Sequence, residues 1–117
     1  MTKPHLFLAV LLLTLGSCER GAEADLQYIK QARSIAAEWA LVNELDAQHG
    51  LNRTYVDSMH IWLADGLTSS FAALSQPQSD YGAEMKALLA APAGSPADEL
   101  RAHAERLKQI EDRLESA

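Results

Sequence analysis

ADLQYIKQARSIAAEWALVNELDAQH, residues 24–49, decides the fold class. Within it Tyr28, Ala32, Ile35, Trp39 and Val42 recur at spacings of four and three, with Ile29 and Ala36 flanking the stripe. Successive helical residues are offset by about 100°, so these positions share one face. A long amphipathic helix is predicted, buried on that face. Gly50 is placed to end it in a left-handed cap, and Leu51-Asn52-Arg53 makes the turn.

Three further segments carry the same period. Thr54-Tyr55-Val56-Asp57 fits a capping box, with the threonine oxygen and the acid three residues on satisfying early helical amides. The helix it opens has a stripe of Val56, Met59, Leu63, Leu67 and Leu74, with Phe71 at its edge, and should stop near Ser75 before Pro77. Gly66 lies near that stripe, and the helical propensity it gives up points to close approach of a neighbouring helix. Tyr81, Met85, Leu88 and Leu89 mark a short helix ended by Pro92 and Gly94. Ser95-Pro96-Ala97-Asp98 reads as an N-cap serine, a proline at the first helical position and an acid in the first turn. Beyond it Leu100, Leu107 and Leu114 repeat every seven residues. Little more than two heptads suits a bundle helix better than a long coiled coil, although the same face could pair with a second copy as a homo-oligomer. No segment alternates as a half-buried strand, and no repeat of fixed period is present. The expected fold is all-α: a three- or four-helix antiparallel bundle with helices at about 24–49, 55–75, 81–91 and 96–115.

Composition narrows the function classes. The chain has 117 residues, 48% of them hydrophobic, and a net charge of −6 from ten Lys and Arg against sixteen Asp and Glu. That is one small domain with an acidic field, which opposes nucleic acid, polybasic membrane docking and acidic substrates. The one cysteine supplies neither an internal disulfide nor a thiolate metal site. A Gly-x-Ser-x-Gly elbow and a glycine-rich phosphate loop are both absent from the sequence, so catalysis has no recognised starting point.

At the N-terminus Lys3 precedes Leu6 to Leu15, ten residues without a charge. That run is half of what a membrane-spanning helix needs and has the layout of an export signal. Leu15-Gly16-Ser17-Cys18 follows and resembles the lipobox of bacterial lipoproteins. The resemblance covers the first eighteen residues. It implies a lipoprotein signal peptide at 1–17, cut between Ser17 and Cys18, with diacylglycerol on the Cys18 thiol and an N-acyl chain such as palmitate on the new terminus. Residues 18–23 would then be the lipidated cysteine and a short tether, and 24–117 the helical domain. The implied location is the bacterial cell envelope, lipid-anchored and facing the periplasm. Glu19 stands where an aspartate would resemble an inner-membrane retention signal, which favours the outer membrane. Cleavage would leave 100 residues with a net charge of −7.

Two constellations are candidate sites. Asp46 and His49, and Asp57 and His60, place an acid and a histidine three apart on each side of the first turn. In a helical hairpin the four could converge on a metal ion, making a metal-binding or buffering lipoprotein. The competing account has Asp57 capping the second helix, His49 beside the carboxyl end of the first and His60 at the core edge, with no metal cofactor. Trp62 falls on the flank of the second helix and Ile61 toward its polar side, so this pair is the candidate partner patch. The expected role is a non-catalytic binding or structural accessory of an envelope complex. A small inhibitor or exclusion lipoprotein fits the same features.

Overall fold

The computed structural model of the protein describes residues 21–117, in which four helices follow one another: α1 Gly21–His49, α2 Arg53–Ala72, α3 Asp80–Ala90 and α4 Ala97–Ser116. The expected signal peptide with Ser17, and Cys18 as the expected lipidation site, lie outside the described residues. Gly21 to Glu23, expected as tether, are already helical. None of the described helices is long and apolar enough to cross a membrane.

Cross-helix pairs show that consecutive helices run antiparallel. Gln31 meets Ser70 and Asn43 meets His60 between α1 and α2. Asp80 meets Arg113, and Glu84 meets His103 and Arg106, between α3 and α4. Helices α1 and α4 are also antiparallel neighbours, joined by Lys30 to Glu115 at 3.0 Å, Arg33 to Glu111 at 3.2 Å and Glu44 to Arg101. The core between the helices contains Ile29, Ala36 and Trp39 of α1, Leu63 and Leu67 of α2, Tyr81, Met85 and Leu88 of α3, and Leu100 and Leu107 of α4. Burying a leucine contributes about 1.5–3 kcal/mol, whereas an exposed ion pair contributes about 0–1 kcal/mol. Packing therefore holds α4, and the charges along its flanks favour its direction. Leu100 and Leu107 are fully buried within one chain and Leu114 partly so. Within the chain this face therefore packs into the bundle, with Leu114 at its partly exposed end.

The ends of α2 depart from expectation for local and tertiary reasons. Asn52, not Thr54, caps it: the Asn52 side chain accepts from the Tyr55 amide at 3.2 Å, and Thr54 and Asp57 fall within the helix. Gly50, at φ 60°, takes the left-handed turn, its amide donating to the Asp46 carbonyl at 2.8 Å. At the other end the amides of Ser75 and Gln76 leave the helical path and donate to the Asp25 carboxylate at 2.7 and 3.0 Å. The Tyr81 hydroxyl donates to the same carboxylate at 2.6 Å. Asp25 of α1, at 1% exposure, thus anchors the end of α2, the loop and the start of α3.

Ser95 does not cap α4. Its hydroxyl donates back to the Pro92 carbonyl at 2.6 Å, and Pro96 stands at the cap position without a side-chain bond. The loop before α4 is held instead by α1. Trp39 Nε1 and Asn43 Nδ2 donate to the Ala93 carbonyl at 2.8 and 3.0 Å, and Asn43 Nδ2 donates to the Ser95 carbonyl at 2.8 Å.

Burial alone would raise the Asp25 carboxyl, but hydrogen bonds from Ser75, Tyr81 and Gln76 outweigh it and hold the group below the usual carboxylate range. A depressed folded pKa stabilises the fold above about pH 4 and loses that stabilisation as pH falls through the folded value. Asp25→Asn is expected to cost about 2–3 kcal/mol at neutral pH, with the gap to the parent chain closing under acid; urea unfolding at several pH values checks this. Gly82 provides a second test, since an added Cβ would lie 2.1 Å from the Pro77 carbonyl oxygen. Gly82→Ala is expected to lower stability by about 1–3 kcal/mol in the same assay, because backbone must move to relieve the overlap.

Candidate functional site

The α1–α2 hairpin has an inner side against α3 and α4 and an outer seam left open. On that seam lies a groove of about 620 Å³ bordered by Gln27 to Glu38 of α1 and Trp62 to Ser69 of α2. Its apolar part is formed by Ile35, Leu63 and Trp62. Small residues make the space: Ser34, Gly66 and Ser69 project little or nothing where larger side chains would fill it. Gly66 also permits the close helix approach its sequence position suggested, because an added Cβ would stand 3.2 Å from Ile35 Cδ1.

Trp62 is 63% exposed at the edge of this groove, and Ile61 beside it is 64% exposed. Both were singled out in the sequence because they lie off the α2 stripe, and both face solvent. Leu41 on α1 and Tyr55 on α2 are the other large apolar side chains left half exposed among the described residues. Trp39 differs in that its ring is buried and its indole N–H is bonded to the Ala93 carbonyl. An exposed tryptophan keeps a large apolar surface in water, where a partner could cover it at little cost in side-chain entropy.

The rim is charged unevenly. Glu38 and Asp65 line the groove and are exposed, and neither carboxylate forms an ion pair or hydrogen bond among the described residues. Lys30 also borders it, but its ammonium is paired with Glu115 of α4. What the groove offers chemically is recognition: an apolar surface, an exposed aromatic ring, several hydroxyl and amide groups, and two carboxylates available to a cation.

The proposed metal quartet does not assemble. Asp46 closes the α1–α2 turn, accepting from the Leu51 amide at 3.0 Å and from Arg53 at 2.7 Å. The Arg53 guanidinium holds the Asp46 carboxyl below its usual range. His49 and Asp57 are exposed. His60 Nε2 lies 2.8 Å from Asn43 Oδ1. Because the Asn43 amide nitrogen donates to two carbonyls, its oxygen is the acceptor and His60 Nε2 carries the proton. No group of three or more His, Cys, Asp or Glu side chains able to hold a metal ion is present among the described residues.

Sequence reading missed two polar residues that organise the fold. Asp25 reads as part of a polar lead-in, although it falls one turn before Ile29 on the buried face. Asn43 follows Val42 at the edge of the apolar stripe and gives no signal until its loop partners are known. The groove itself was also missed, since it depends on small residues from two helices meeting across a seam. No family model matches this chain, and neither the curated proteins nor the solved structures yield a match.

Proposed function

We propose that this protein is a lipid-anchored, periplasm-facing accessory of a cell-envelope complex, acting by binding rather than catalysis. The single observation that carries the binding role is the adjacent exposed pair Ile61 and Trp62 at the mouth of the α1–α2 groove. Scattered exposed apolar residues are ordinary, but a tryptophan and an isoleucine side by side at the edge of a groove fit an interface anchor. The Leu15-Gly16-Ser17-Cys18 sequence supports the anchor. A cleaved chain with a net charge of −7 would be repelled by an anionic bilayer, so lipid chains on Cys18 would supply the membrane affinity. Two or three chains give lasting attachment, since each buried methylene contributes about 0.8 kcal/mol. Attachment raises the local concentration of the groove near envelope partners without requiring high intrinsic affinity.

In intact bacterial cells the parent chain is expected to take up labelled fatty acid and sediment with membranes, and Cys18→Ala to do neither. A photoreactive residue at Trp62 is expected to crosslink one envelope protein in the parent background and to lose that crosslink with Cys18→Ala. A chain that stays unlabelled and sediments identically with Cys18→Ala would overturn the anchor, and an unreactive position 62 would overturn the binding role.

A further inference from the structure

We infer that the groove between α1 and α2 takes a basic amphipathic helix of a partner protein, with apolar side chains against Trp62 and Ile35 and Lys or Arg side chains on Glu38 and Asp65. The inference deepens the binding role proposed above and rests on it. Three observations lead to a helix of that charge. The α1 border runs from Gln27 to Glu38, eleven residues on, or about 17 Å, which matches about three turns of helix. Ser34, Gly66 and Ser69 lower the seam, as a close-packing helix requires. The carboxylates of Glu38 and Asp65 are exposed and engage no cation among the described residues, while Lys30 is already held by Glu115.

Charge selects among occupants. A second copy of this chain brings net charge −6 to an acidic groove, and α4, the helix with the most Lys and Arg, carries still more acids and buries Leu100 and Leu107 in its own core. An anionic lipid surface meets the same repulsion. A Lys- or Arg-bearing helix meets opposite charge at two points and can also set a cation over the exposed Trp62 ring. Exposed charges of this kind chiefly raise the association rate and fix which face of the helix turns inward.

The test uses the full chain in zwitterionic nanodiscs, with empty nanodiscs subtracted, and a labelled helical peptide of leucine and lysine about fourteen residues long as probe. Fluorescence anisotropy is expected to show binding that weakens about tenfold between about 50 and 300 mM salt. Glu38→Gln with Asp65→Asn is expected to weaken it about tenfold. Glu99→Gln with Glu105→Gln, an equal loss of charge on exposed positions of α4, should leave it nearly unchanged. Trp62→Ala should weaken it as well, with circular dichroism confirming that each variant is folded. Equal binding of a leucine–glutamate peptide, or equal loss from the two paired substitutions, would overturn the inference. In cells, the segment crosslinked at position 62 is expected to be a basic amphipathic helix. A crosslink to an acidic segment, to lipid or to a second copy would overturn the helix inference, and the first of these would leave the binding role standing. An unreactive position 62 would remove both.

Discussion

The carboxylate of Asp25 is the constraint on which the arrangement of the bundle depends. It accepts from the amides of Ser75 and Gln76 and from the Tyr81 hydroxyl, so one side chain of α1 ties together the chain leaving α2 and the first turn of α3, which Ser79 caps. A buried carboxylate is tolerable only when its lone pairs are met by donors, and here backbone amides supply most of them. The same bonds reach into the tyrosine: burial and the neighbouring Asp25 push the Tyr81 hydroxyl up to about 12, so it remains a donor across the physiological range. Gly82 completes the joint by letting the start of α3 rest directly on the Pro77 carbonyl.

Asn43 does the corresponding work at the other end of α1. Its amide donates to the Ala93 and Ser95 carbonyls and accepts from His60, tying the α3–α4 loop and α2 to the same helix. The two polar residues are eighteen positions apart, about 27 Å along the axis. Between them the buried side chains are mainly apolar, with Ser70 and Glu111 bonded at the margin to Gln31 and Arg33. This division suits a small domain, because packing supplies most of the free energy while polar bonds at each end exclude alternative loop positions.

With α3 and α4 docked on the inner side of the α1–α2 hairpin, the outer seam is the one on which small residues and an exposed tryptophan coincide. The bonds at the two ends matter there, since they tie α1 to its neighbours on either side of the groove. A recognition surface built on two clamped helices needs little ordering when it binds, which lowers the entropic cost of association. The proposed lipid anchor would complement such a groove, one supplying proximity and the other geometry.

Helical periodicity alone determined the class of this protein. Tyr28 to Val42, Val56 to Leu74, Tyr81 to Leu89 and Leu100 to Leu114 each carry an apolar stripe that has to be buried, and short connections make antiparallel neighbours the simplest solution. The exposure of Ile61 and Trp62 was legible for the same reason, because both lie off the stripe. Helix ends were less legible. Asn52, Thr54 and Ser95 are all plausible caps by residue type, and only the path of the chain decides which oxygen meets a free amide. The carboxylate of Asp25 and the amide of Asn43 have partners roughly fifty residues away, and of the two acid–histidine pairs Asp46 turned to Arg53 and His60 to Asn43, with His49 and Asp57 exposed. Tertiary structure also decided the groove and the use of the Leu100 and Leu107 face. Local patterns fix which side of each helix avoids water, whereas the choice of partner for a polar atom is made only when the helices have come together.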